Sequence, residues 1–160
     1  MSLFSKRLLV WHKKEGRKDL PWQQDITPYK VWISEIMLQQ TQVSTAIPYF
    51  LKFIQRFPDI DTLANATEDE VLSYWSGLGY YTRARNILKS AQLIKIEFES
   101  TLPKSLKELV TLPGIGRSTA GAIRSIGYGL KAPILDGNVK RVLSRYFKIE
   151  EDLNKSSIQK

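Results

Sequence analysis

Apolar and polar positions divide the chain into a series of helical segments. Leu3, Phe4, Leu8, Leu9 and Trp11 recur at the spacing of an amphipathic helix over residues 3–14, ended by Gly16. The basic cluster Lys13, Lys14, Arg17 and Lys18 around that end reads as solvated surface. Leu20-Pro21-Trp22 breaks the pattern, and Thr27-Pro28 restarts a helix with Thr as N-cap and Pro in the first turn. That helix, Tyr29 to Thr41, is apolar almost all round (Val31, Trp32, Ile33, Ile36, Met37, Leu38), the pattern of a buried element. A further helix is expected after Pro48, through Tyr49, Phe50, Phe53, Ile54 and Phe57. Thr67 and Glu70 form a capping box for a short helix through Val71, Leu72, Tyr74 and Trp75. After the Gly77-Leu78-Gly79 turn, Ala84, Ile87, Leu88, Ala91 and Ile94 line the inner face of another helix. Asp136 is the N-cap of a last helix through Phe147, followed by a polar tail from Glu150 to Lys160. No segment alternates as a strand does, so the chain is expected to be all-α.

One stretch organises the rest: Leu112-Pro113-Gly114-Ile115-Gly116-Arg117-Ser118-Thr119-Ala120. Its glycines, at alternate positions, mark a tight turn between two apolar periodic segments. Upstream, Pro103 fits a first helical position, followed by Leu106, Leu109, Val110 and Leu112; downstream, Ala120, Ile123 and Ile126 recur every third residue. The second helix starts near Arg117 and Ser118, so its free N–H groups, its dipole and a full positive charge converge where a phosphate would sit. An ordinary αα-turn with a capping glycine shares part of this pattern. The second glycine, the proline before and the arginine after favour the helix-hairpin-helix motif of DNA repair proteins.

Charge agrees with a polyanionic partner. The 160 residues hold 24 Lys and Arg against 16 Asp and Glu, a net charge of +8, which favours nucleic acid first and an anionic membrane surface second. No uncharged apolar run of about 18 residues is present to span a bilayer, and the N-terminus shows no signal-peptide pattern. The sequence has no cysteine, which excludes disulfides and cysteine-ligated metals within it.

Two carboxylates stand out. Glu35 is the one acidic residue within the apolar helix, and of its neighbours Val31, Trp32, Leu38 and Gln39 three are apolar. Poor hydration raises a carboxyl pKa and fits a proton donor near neutral pH; a flank glutamate, or one satisfied by a buried hydrogen bond, is the plainer alternative. Asp136 has a structural role as N-cap, to which any catalytic role is additional. Tyr80, Tyr81, Arg83 and Arg85 meet at an expected exposed helix start, the residue types that stack on bases and hold phosphates. The tyrosines equally fit core packing.

Leu20-Pro21-Trp22, the run Trp32-Ile33-Ser34-Glu35-Ile36-Met37-Leu38-Gln39-Gln40-Thr41, Gly77-Leu78-Gly79-Tyr80-Tyr81, Leu112 to Ala120 and Ile134-Leu135-Asp136-Gly137-Asn138-Val139-Lys140-Arg141 occur here in one order. Together they resemble the MutY-type adenine DNA glycosylases of the helix-hairpin-helix glycosylase superfamily, over nearly the whole chain to Phe147. The resemblance implies an all-α fold of two helical subdomains with the active site in the cleft between them. Residues 23–132 would form the first, with the helix-hairpin-helix at about 104–127. The second would combine residues 1–22 with residues 133–160 and be incomplete, since family members continue into helices carrying four cysteines for a [4Fe-4S] cluster and then a domain that recognises 8-oxoguanine. The chain thus resembles the N-terminal catalytic part of such an enzyme.

The implied reaction is removal of adenine mispaired with 8-oxoguanine or guanine, by base flipping and hydrolysis of the N-glycosidic bond. By resemblance Glu35 is the acid that protonates adenine and activates water, Asp136 stabilises the oxocarbenium, and Asn138 orients sugar and water. Gln39, Gln40, Tyr80, Arg83, Leu112, Gly114, Gly116, Arg117, Ser118 and Lys140 are the implied DNA-binding positions, with Gln40 and Tyr80 entering the duplex. No metal site is expected within the chain itself. At the position of Ser118 the glycosylase-lyases carry a lysine, and serine cannot form a Schiff base, so a monofunctional glycosylase is expected. The implied partner is double-stranded DNA with a mispaired adenine, bound by a monomer with no membrane association. The implied compartment is the cytoplasm or nucleoid in a bacterium, the nucleus or mitochondrion in a eukaryote. The alternatives are a non-catalytic helix-hairpin-helix fragment that only holds duplex and, less favoured by Gln39, Gln40 and Ser118, an endonuclease III type glycosylase-lyase.

Overall fold

The structure, a computed structural model, describes residues 2–150, and the polar tail beyond Glu150 lies outside the described residues. The helices are α1 (Leu3–Glu15), α2 (Pro28–Met37), α3 (Val43–Arg56), α4 (Ile60–Ala64), α5 (Glu68–Trp75), α6 (Thr82–Glu97), α7 (Leu106–Leu109), α8 (Arg117–Ala122) and α9 (Gly137–Phe147). A 3-10 turn, Pro21–Gln23, precedes α2, and a π-helical turn, Ile123–Gly127, continues α8. No strand occurs among the described residues, so the all-α expectation holds.

The core is built on α2. Trp32, Ile33 and Met37 are fully buried, and the helix packs against α3, α6, α8 and the π-helical turn. Burying each such side chain contributes roughly 1.5–3 kcal/mol. Phe50 and Phe53 from α3, Phe57, Leu63 from α4, Trp75 from α5, and Ile87 and Ile94 from α6 complete the cluster. α4 and α5 lie on α6. By contrast α1 and α9 bury no residue fully; they meet where the Phe4 and Tyr146 rings stand 4.4 Å apart. Leu8, Val10, Trp11, Val142 and Phe147 are exposed.

Side-chain caps lie where the sequence places them at Thr27, Thr67 and Asp136, each accepting from the backbone N–H three residues on. Other expectations need correction. Pro48 lies inside α3, which begins at Val43. α2 ends at Met37 rather than Thr41. Pro103 is not the start of the pre-hairpin helix; Ser105 caps α7, which starts at Leu106. Glu70 completes no capping box and instead pairs with Arg56. The helix after the hairpin loosens into the π-helical turn, which leaves Ile126 exposed. That turn sits where Gly127 approaches Pro28: a Cβ on Gly127 would lie 2.7 Å from the Pro28 Cα.

Candidate active site

Glu35 occupies the third turn of α2, where its neighbours Val31, Trp32 and Ile36 are buried. It is itself half-buried. No hydrogen bond or ion pair among the described residues engages its carboxyl. Its pKa is pushed up to about 6, mainly by burial, which penalises the charged form, and further by the charge of Asp136. The reading of Glu35 as a group satisfied by a buried hydrogen bond therefore has no support among the described residues.

Asp136 comes to this place by a tight backbone approach. Gly121 of α8 lies so close to the chain entering α9 that a Cβ there would fall 2.3 Å from the Pro133 carbonyl oxygen. Only glycine admits that contact without displacement. Three residues later Asp136 caps α9, its Oδ1 accepting from the Val139 N–H at 2.7 Å, and the residue remains exposed. Its second oxygen is left for other work. Asn138 is exposed in the first turn of α9, its Oδ1 accepting from Arg141 at 3.1 Å. Lys140 is half-buried one turn on.

The hairpin turns at Gly114, φ 78°, and is fastened to α6 by Ser90, whose hydroxyl donates to the Pro113 carbonyl at 2.8 Å. No side chain caps α8 at Gly116, and Gly114, Gly116 and Arg117 are exposed while Ser118 is half-buried. The first N–H groups of α8 and the Arg117 charge thus face one exposed surface. Leu112 is 3% exposed. As a side chain it belongs to the core and not to a surface.

Gln39, Gln40 and Tyr80 are exposed, Tyr80 at 61%. Arg83 is not: the exposed helix start expected from sequence leaves it 8% exposed. Its guanidinium instead takes backbone carbonyls at the end of α2 and in the turn before α6. Helix ends carry carbonyls without intrahelical partners, and a buried arginine is suited to meet several of them. The sequence contains the signal for this, since Arg83, Ile87, Ala91 and Ile94 fall on one face of α6, but a charge there reads first as surface. Gly121 and Gly127 gave no local sign of their close approaches.

No group of three or more His, Cys, Asp or Glu is placed to hold a metal ion among the described residues. The cysteine-free sequence has no ligand that fits a [4Fe-4S] cluster. No helix among the described residues is long and apolar enough to cross a membrane. The arrangement therefore offers a raised carboxyl, a second carboxylate whose charge acts on it, an exposed basic hairpin, and exposed glutamines and a tyrosine.

Residues 33–160 match the family model described as HhH-GPD superfamily base excision DNA repair protein. The chain is 57% identical over 158 residues to the adenine DNA glycosylase of Buchnera aphidicola subsp. Baizongia pistaciae, covering 99% of this chain and 44% of that protein. It is 42% identical over 161 residues to the adenine DNA glycosylase of Homo sapiens, covering 95% of this chain and 29% of that one. The chain thus spans less than half the length of these relatives. Among solved structures, a thermostable thymine-DNA glycosylase superposes with a TM-score of 0.89 at 24% identity, covering 98% of this chain and 73% of the other. A non-covalent endonuclease III–DNA complex superposes at 0.76 and 20% identity, covering 96% and 73%. At these identities the structural likeness shows the fold alone.

Proposed function

The chain belongs to the HhH-GPD superfamily of base excision DNA repair proteins, and on that premise we propose that it removes adenine mispaired with 8-oxoguanine or guanine from duplex DNA. Its likeness to proteins named adenine DNA glycosylase supports adenine as the base. The observation that carries the reaction is Glu35, half-buried and raised to about 6 beside the charge of Asp136. A carboxyl raised in this way is suited to the role of the acid.

The reaction is hydrolysis of the N-glycosidic bond of a flipped adenine, whose extraction costs a few kcal/mol of stacking and pairing. Gln40 and Tyr80 enter the duplex and hold it open, while the hairpin and Arg117 grip phosphates without reading sequence. Glu35 donates its proton to a ring nitrogen of adenine, and the bond to the sugar breaks with its electron pair leaving on the base. The cationic sugar is stabilised by the Asp136 carboxylate. Glu35, now ionised, takes a proton from the water that adds to the sugar carbon, and Asn138 orients that water. Ser118 offers no amine for a Schiff base, so the strand stays intact at an abasic site.

A second reading has one observation in its favour: α9, which Asp136 caps, buries no residue fully. On that reading the chain holds duplex without hydrolysing it. The test is incubation with labelled duplexes carrying adenine opposite 8-oxoguanine, guanine or thymine. Adenine release from the first two, with strand breakage only after hot alkali, is expected. Breakage without alkali contradicts monofunctional hydrolysis, equal release opposite thymine contradicts mispair specificity, and tight binding without release favours the second reading.

A further inference from the structure

Gln40 and Tyr80 share an unusual backbone state. Neither is glycine, yet they sit at φ 54° and 49°, the left-handed region where an L side chain crowds its own backbone. Each follows a carbonyl held by the same side chain. Arg83 Nη1 donates to the Gln39 carbonyl at 2.6 Å, and Nη2 to the Gly79 carbonyl at 3.1 Å. A carbonyl shares its rigid plane with the next residue's nitrogen. Fixing these two oxygens therefore fixes the planes against which φ of Gln40 and φ of Tyr80 are set.

The rest of the guanidinium contacts serve the same two loops and the last turn of α2. Nη1 shares its two hydrogens further with the carbonyls of Ile36 and Met37, at 3.0 and 2.9 Å, and with Thr41 Oγ1 at 3.2 Å. Nη2 also reaches the Leu78 carbonyl at 3.4 Å. Trp75 Nε1 donates to the Gly79 carbonyl at 3.1 Å as a second anchor. The guanidinium carbon lies 5.4 Å from the centre of the Tyr80 ring and 5.4 Å from that of Trp75, cation–π distances to both. An open cavity of about 200 Å³ lies between the loops, lined by Gln39, Gln40, Tyr80, Thr82 and Arg83.

We propose that Arg83 is the positioning residue for duplex opening: its buried fork ties residues 39–41 to residues 78–80, so that Gln40 and Tyr80 meet the base stack as one rigid wedge. The inference rests on the reading that these two residues enter duplex DNA. A lysine retains the charge but is a point donor without the planar fork, so it cannot serve both carbonyls in the same way.

The test uses a duplex with the fluorescent base 2-aminopurine in place of the mispaired adenine, which brightens on leaving the stack and requires no hydrolysis. With the full chain, Arg83→Lys is expected to lower the brightening at saturation at least fivefold, while affinity for a fully paired duplex stays within about twofold. In a Gln40→Ala/Tyr80→Ala background, Arg83→Lys should cause no further loss, because its effect runs through those residues. Parent-level brightening in folded Arg83→Lys, or an equal additional loss in the double-variant background, overturns the proposal. Should Arg83→Lys fail to fold, Thr41→Val decides, since it removes one Nη1 acceptor without stranding a charge. Reduced brightening there supports the proposal, and parent-level brightening overturns it. A parent chain that brightens the probe but releases no adenine refutes hydrolysis and leaves this inference standing, whereas a parent that leaves the probe dark overturns it.

Discussion

Glu35 on α2 and Asp136 at the start of α9 are coupled: Glu35 is raised to about 6 first by its own burial and then by the Asp136 charge. The two carboxyls come from segments remote from one another in the sequence. The raised carboxyl is the group suited to hold a proton near neutral pH.

Asp136→Asn separates these causes. Asparagine still caps α9, so the fold is retained. With the Asp136 charge gone, only burial raises Glu35, and its pKa falls. The limb of the adenine-release profile that declines with rising pH should shift to lower pH, and the maximum rate should also fall because the cationic sugar loses its counter-charge. Single-turnover rates between pH 4.5 and 9 check this; an unmoved limb removes Asp136 from the environment of Glu35.

Glu35 also bears on stability. Its pKa rises from 4.5 to about 6 on folding, so the folded chain binds more protons than the unfolded one between those values, and stability is lost as pH rises through that window. Glu35→Gln should therefore raise stability at pH 8 on the order of 1 kcal/mol, after allowance for partial solvent screening. The gain should vanish below about pH 4.5. Denaturant unfolding of both chains at pH 4 and pH 8 measures the difference.

Gly121→Ala tests how Asp136 is placed. The new methyl would collide with the Pro133 carbonyl oxygen, and relief of such overpacking costs about 1–3 kcal/mol. Displacement of the 133–136 segment should lower adenine release at least tenfold while binding to duplex through the hairpin survives. Thermal melts and single-turnover kinetics on one preparation distinguish this from simple unfolding.

Much of this was legible in the sequence. The side-chain caps at Thr27, Thr67 and Asp136 are legible in the sequence, whereas those of Asp59 and Ser105 are not. The start of α3 has none, because Gln42 makes no side-chain cap bond, and Pro48 then imitates a beginning. α4 is too short for periodicity to show. The π-helical turn and the entry to α9 depend on Gly127 against Pro28 and Gly121 against Pro133, contacts between distant segments that leave no local pattern. Glu35 and Asp136 were each visible by residue type and setting, but their coupling arises only from that tertiary approach. Arg83 reads as a surface cation in the sequence because the Ile36, Met37 and Gln39 carbonyls that draw it inward lie more than forty residues away.

Gly116 allows a clean test of the hairpin. Its φ is −84° and nothing lies within 4 Å of an added Cβ, so Gly116→Ala leaves the free protein undisturbed. Any loss of duplex affinity then reports a close backbone approach of the nucleic acid. Arg117→Glu should weaken binding to all sequences alike and flatten the dependence on salt. Unchanged affinity for both variants in a salt-titrated binding assay would place the hairpin outside the interface.

In the proposed reaction Glu35 delivers the proton that releases adenine. The most direct measurement is single-turnover adenine release by Glu35→Gln from a duplex with adenine opposite 8-oxoguanine, with duplex affinity determined in parallel. Glutamine preserves size and hydrogen bonding but has no acidic proton. The expected result is a fall in rate of at least about a hundredfold, the scale of losing general acid catalysis, with affinity retained. Release at the parent rate would contradict the account and return Glu35 to a flank carboxylate on a buried helix.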